Sequence, residues 1–115
     1  MRAEDGTYMF VILWEYEVKT GCEESFERAY GPQGSWVELF RHSPHYLSTQ
    51  LLRDPLRSSF YFTLDFWESQ TAYELIRRAY HAAYNSLDLA AADFFSAERY
   101  VGSVQVPDDH YSPTT

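Results

Sequence analysis

A chain of 115 residues, 45% apolar and 23% charged, has the composition of one ordinary folded domain and excludes a disordered or low-complexity polymer. Nine Lys and Arg against seventeen Asp and Glu leave a net charge of −8, which gives no footprint for nucleic acid or an anionic membrane. One cysteine, Cys22, excludes an internal disulfide framework and a cysteine-cluster zinc site, and no apolar run approaches the ~18 residues of a membrane helix. With no signal-peptide pattern at its start, the chain is expected to be cytoplasmic. Aromatic residues make up 18% of it. A domain this small buries only about two-thirds of its unfolded surface, so some of those rings are expected in a ligand cavity or a subunit interface.

Residues 1–7 are polar and patternless and read as a frayed terminus. A single domain is expected over 8–106, followed by a polar tail over 107–115. Tyr8 to Lys19, rich in β-branched and aromatic residues, is the first predicted strand and ends at Thr20-Gly21. Phe10, Ile12, Trp14, Tyr16 and Val18 lie on one face, and Met9, Val11, Leu13, Glu15 and Glu17 on the other. Cys22 to Tyr30 reads as a helix with its acids early and Arg28 late, and Phe26 and Tyr30 share a stripe. Gly31-Pro32-Gln33-Gly34 breaks it. Ser35 and Glu38 have capping-box spacing for a second helical stretch whose stripe is Trp36, Leu39 and Phe40, stopped at Ser43-Pro44.

Tyr46 to Arg53 and Ser59 to Trp67 are predicted strands, joined as an antiparallel hairpin through Asp54-Pro55. Ser69 or Thr71 starts the next helix, with Tyr73, Ile76, Tyr80, Tyr84 and Leu87 on one face. That pattern runs to about Asp93, with a bend expected near Asn85-Ser86, and Ala97 to Val106 is the last strand. The order β, α, β, β, α, β predicts an α+β, ferredoxin-like split sandwich with a four-stranded antiparallel sheet.

Such a sheet has helices on one face only. On the third strand Phe60, Phe62, Leu64 and Phe66 point one way, and Tyr61, Thr63, Asp65 and Trp67 the other. Burying a large apolar side chain is worth roughly 1.5–3 kcal/mol. The all-apolar set, joined by Met9, Val11 and Leu13, is therefore expected to be covered by a second copy, sheet against sheet, in a homodimer. Parity then places Tyr61, Thr63, Asp65 and Trp67 beneath the helices with Trp14 and Tyr16, facing Tyr73, Tyr80 and Tyr84. A space lined by rings with a few polar groups suits a small planar aromatic molecule.

The stretch Phe10 to Tyr16, the segment Tyr46 to Arg53 and above all Phe66-Trp67-Glu68-Ser69 followed by Ala72-Tyr73 resemble the antibiotic biosynthesis monooxygenase family. The resemblance covers roughly residues 8–104. It implies the dimeric α+β barrel, in which the ferredoxin-like units pair as homodimers. It also implies oxygenation of aromatic polyketides or quinols with dioxygen as co-substrate and neither metal nor organic cofactor. Trp67 matches a Trp of the oxygenating and haem-degrading branches, and His81 resembles their helix His. The strand-one Asn of those branches is replaced by Trp14, which argues against haem.

Three residues are candidates for chemistry. His81, with an ordinary pKa near 6.5, suits removal of a phenol proton, the step that makes a substrate electron-rich enough to reduce dioxygen. Asp65, a carboxylate among rings, is either paired with an Arg (Arg53, Arg77 or Arg99) or a base with a raised pKa. Trp67 is a core residue, a stacking wall, or both. Trp14, Tyr16, Tyr61, Thr63, Tyr80 and Tyr84 are the candidate substrate-binding residues. His42 and His45 flank Ser43-Pro44, and Pro44 disfavours a metal-binding helix there, so no metal is expected. Phosphate loops and serine-nucleophile motifs are missing from the sequence. The leading expectation is a small cofactor-independent monooxygenase. The alternatives are a non-catalytic aromatic-ligand-binding or stress-response protein, and a polyketide cyclase on the same fold.

Overall fold

The computed structural model describes residues 8–108. The elements are β1 (Tyr8–Val18), α1 (Glu23–Tyr30), α2 (Ser35–Phe40), β2 (Tyr46–Arg53), β3 (Phe60–Trp67), α3 (Gln70–Ala79), α4 (His81–Ala91), a short 3-10 turn (Ala92–Phe94) and β4 (Phe95–Pro107). The strands form one antiparallel sheet in the order β2-β3-β1-β4. This is the expected ferredoxin-like arrangement. The frayed terminus expected over 1–7 and the tail beyond residue 108 lie outside the described residues.

Several local expectations change. Ser35 does not cap α2: it is the first helical residue, and Gly34 occupies the cap with no side-chain hydrogen bond. Only glycine fits at 34, because a Cβ there would stand 2.3 Å from the carbonyl oxygens of Arg28 and Ala29. Ser69 is the true cap of α3, its Oγ accepting the Ala72 backbone N–H at 3.1 Å. The long helical run breaks at Tyr80, not at Asn85-Ser86, where ψ swings to 39°. The last strand begins two residues before its predicted start and takes Pro107 from the expected tail. Beyond β1 the chain turns through Gly21, whose φ of 91° few other residues adopt.

The faces sort as the alternation requires. Ile12, Tyr16, Val18, Tyr61 and Trp67 form one buried cluster with Phe26, Tyr30, Trp36, Leu39, Phe40 and Ile76 of the helices. Phe26 stacks on Tyr30 at 4.4 Å, and Tyr61 and Tyr16 each stand 5.1 Å from Phe26. On the other face Leu13, Phe60, Phe62 and Leu64 are half-buried, and Leu52 and Val104 are exposed. Met9, Val11 and Phe66, expected to be bare there, are already buried within the single chain. The open apolar platform is thus narrower than the alternation predicts. Its rim is polar: Glu15 accepts from Arg99 Nε at 2.9 Å and from Arg57 Nη2 at 3.1 Å. Arg57 also caps the Phe60 ring at 3.9 Å.

Candidate functional site

Between the helical layer and the sheet lies a cavity of about 140 Å³. Its floor is Trp14 and Tyr16 of β1, Thr49 of β2, and Thr63 and Asp65 of β3. Tyr30, Trp36 and Phe40 form one wall, Tyr84 stands opposite, and the exposed Arg77, Asp88 and Glu98 stand at the mouth. Trp36 meets Tyr84 edge-on at 4.9 Å, closing the roof.

Asp65 is the buried acid of the lining. It is 9% exposed and receives one hydrogen bond among the described residues, from Thr49 Oγ1 to Oδ1 at 2.7 Å. Because Thr49 spends its proton on Asp65, the Tyr46 hydroxyl 2.7 Å away must donate to Thr49. Burial raises the Asp65 pKa to about 6, against the opposing pull of the Thr49 hydrogen bond. None of the three arginines expected as ion-pair partners reaches it. Arg53 Nε donates to the Ser58 carbonyl, Arg99 pairs with Glu15, and Arg77 lies 4.8 Å from the Tyr84 ring centre. Burial also pushes up the Tyr16 and Tyr84 hydroxyls, Asp88 and Glu98.

The structure brings Trp14, Tyr16, Thr63, Asp65 and Tyr84 together and sets four other candidates apart. Trp67 is fully buried beyond the cavity, against Phe40, Tyr46 and Tyr73 at 5.1, 5.2 and 5.6 Å. Tyr61 is 1% exposed, and its hydroxyl donates to Glu27 Oε2 at 2.5 Å. Tyr80 sits at the exposed helix break, against His42 at 4.8 Å. His81 begins α4 on the solvent side, with the Asn85 amide 3.3 Å from Nε2. His81→Ala is therefore expected to leave the affinity for a cavity ligand within about twofold of the parent chain, as titration would show. His45 Nδ1 stands 2.9 Å from Glu68, and His42 Nδ1 is 3.0 Å from the Leu39 carbonyl. Among the described residues no trio of His, Cys, Asp or Glu is placed to hold a metal ion.

Six lining residues escape the sequence reading, Tyr30, Trp36, Phe40, Thr49, Asp88 and Glu98, and Arg77 was expected only as an ion-pair partner of Asp65. Asp88 was recoverable, standing four residues beyond Tyr84 on the same stripe. Glu98 was not. A bulge between Leu13 and Trp14 shifts the β1–β4 register, so Leu13 faces Gly102 but Trp14 faces Tyr100. Gly102 at φ 157° sits in that irregularity. With the register that pairs Val11 with Val104, Tyr16 would face Arg99; the bulge pairs it with Glu98 instead. One extra residue thus puts a carboxylate, not a guanidinium, on the cavity side.

A sequence profile of the antibiotic biosynthesis monooxygenases matches residues 9–83. The chain belongs to the antibiotic biosynthesis monooxygenase family. Solved structures of like fold include a Bordetella bronchiseptica protein named for the family, 18% identical with a TM-score of 0.70 over 85% of this chain and 96% of that one. A Nitrosomonas europaea protein so named is 15% identical, with a TM-score of 0.63 over 91% and 94%. A variant of SnoaB, a cofactor-independent oxygenase from Streptomyces nogalater, is 13% identical, with a TM-score of 0.61 over 92% and 98%. At these identities the likeness carries the fold. No curated protein matches the sequence. Within the monooxygenase frame α3 and α4 roof the cavity, and no helix among the described residues is long and apolar enough to cross a membrane.

Proposed function

We propose that this family member is a small monooxygenase whose substrate is an electron-rich aromatic alcohol, held against Trp14 and Tyr16 with its hydroxyl toward Asp65. The observation that carries the reading is a buried carboxyl, bonded by Thr49 at Oδ1, facing an aromatic cavity, where burial pushes its pKa up to about 6. Such a group is ionised at neutral pH yet basic enough to take a phenolic proton as the oxidation proceeds. The phenolate then passes an electron to dioxygen, the co-substrate. Recombination at a ring carbon gives a hydroperoxide, which loses water to leave a quinone. One oxygen atom ends in the ring and the other in water; the substrate surrenders its hydroxyl proton and one ring hydrogen, so atoms and electrons balance. Asp65 accepts the first proton and returns it to the departing water. Neither a metal nor an organic cofactor is required by this scheme.

Size limits the substrate. A cavity of about 150 Å³ holds a molecule like benzene, so the 140 Å³ space admits one ring. A polycyclic substrate would need α4 to move outward. The test is oxygen uptake and product mass with a panel of single-ring phenols and hydroquinones. Products one oxygen heavier and two hydrogens lighter support the reading, with kcat/KM rising tenfold per pH unit below about 6 and flattening above. Binding with no oxygen uptake would favour the second reading, a non-catalytic ligand carrier. Trp14, standing where the oxygenating branches place an Asn, is the feature that favours it.

The functional unit is further proposed to be a homodimer closed over the platform of Leu13, Phe60, Phe62 and Leu64. Its apolar centre and Glu15–Arg57–Arg99 rim have the anatomy of a protein interface. Leu64→Asp is expected to weaken self-association by about a hundredfold or more. Light scattering would show a dimer for the parent chain and a monomer for the variant; a parent that is monomeric at micromolar concentration would end the proposal.

A further inference from the structure

The charges around the cavity do not cancel. Asp65 lies in the floor, Asp88 and Glu98 stand at the mouth, and among the described residues the one cation in the lining is Arg77. Arg77 is already engaged with rings, 4.8 Å from the Tyr84 centre and 5.7 Å from that of Tyr73. Asp65 lacks a counter-ion: Thr49 bonds Oδ1, and no donor among the described residues reaches Oδ2. The remaining titratable groups facing the space, Tyr16, Tyr30 and Tyr84, stay neutral at physiological pH because burial raises their hydroxyls. An anionic ligand would therefore meet like charge at the floor and the mouth. The walls add to this asymmetry, since the faces of Trp14, Trp36, Tyr16 and Tyr30 attract positive charge.

We infer that the cavity selects a cation: a single-ring aromatic molecule carrying a protonated amine, with its ammonium between Asp88 and Glu98 at the mouth. This rests on the proposed function for the choice of site and deepens it by naming the charge of the substrate. The two ends have different tasks. Asp65, out of solvent, faces the hydroxyl of the ring. Asp88 and Glu98, exposed on α4 and β4, hold the ammonium without stripping it of all its water. The Gly102 bulge is what supplies Glu98, because the unbulged register would present Arg99 and repel the same ligand.

Three probes of nearly one shape separate the possibilities: tyramine (cation), 4-ethylphenol (neutral) and 3-(4-hydroxyphenyl)propionate (anion). Each is titrated into the full chain by calorimetry, and indole N–H shifts in the NMR spectrum locate the binding at Trp14 and Trp36. Tyramine is expected to bind at least tenfold more tightly than 4-ethylphenol, and the propionate most weakly. The Asp88→Asn, Glu98→Gln double variant is expected to bring tyramine down to the affinity of 4-ethylphenol. Glu98→Gln alone, which alters one exposed side chain, should lose a substantial part of the preference. Equal affinities for tyramine and 4-ethylphenol at the Trp14 site would overturn charge selection and leave the binding site standing. A tyramine preference that survives the double variant would overturn it as well. No indole shift with any probe would overturn both the selection and the site.

Discussion

At pH 8 the Asp65→Asn protein melts about 10–15 °C above the parent chain, and the oxygenase turnover proposed for the parent falls to background. The stability gain follows from burial. A carboxyl ordinarily near 3.8 is raised to about 6 in the folded chain. Between those values the native state keeps a proton that the unfolded chain has released, so parent stability falls as pH rises through the window and stays low above it. At ~1.36 kcal/mol per unit the cost approaches about 3 kcal/mol by neutral pH. Asparagine keeps an oxygen for the Thr49 hydroxyl and carries no charge to desolvate. Below pH 4 the two proteins converge. Thermal melts at pH 4 and pH 8 read the difference directly. An Asn protein less stable than its parent at pH 8 would mean that a partner compensates the carboxylate, and the base would have to be sought elsewhere. Stability gained together with turnover lost is the signature of a group kept for chemistry.

Replacing Trp67 by Ala costs about 3–5 kcal/mol, whereas replacing it by Phe costs about 1–2 kcal/mol. The side chain has no exposed surface and wedges among Phe40, Tyr46 and Tyr73. Its indole Nε1 has no hydrogen-bond partner among the described residues, so phenylalanine loses volume without orphaning any polar group. Urea unfolding would rank the three proteins. For a domain of ordinary stability, ~5–15 kcal/mol, the Ala variant stands near the edge of folding. The Phe variant also separates structure from chemistry, because a residue outside the cavity should leave kcat near that of the parent. A large fall in kcat with unchanged stability would restore Trp67 as a substrate contact.

The expectation that joined both residues at one site came from β3 alternation, which is reliable about faces and silent about depth. Tyr61, Thr63, Asp65 and Trp67 do share the helix-covered face. Along the strand, however, they span about 20 Å at ~3.4 Å per residue. One small cavity takes in only the middle two; Tyr61 is committed to Phe26 and Glu27, and Trp67 to Phe40. The helix stripe misled in a similar way. Tyr73, Tyr80 and Tyr84 suit one continuous helix, but the break at Tyr80 turns that ring to the exposed side.

Local rules, written into the order of residues, sufficed for the six-element plan and the faces of the β1 and β3 residues. The two-residue period, the turn signals and the aromatic excess also announced a buried carboxylate among rings. Which charge stands beside Tyr16 was decided only in three dimensions. Glu98 and Arg99 are neighbours in the chain, and strand alternation requires that one face the cavity and the other face away. A single extra residue near Gly102 chooses between them, sending Arg99 to Glu15 and Glu98 to the mouth. Register is a relation between two strands 84 residues apart at that ion pair, and no local pattern in either strand carries it.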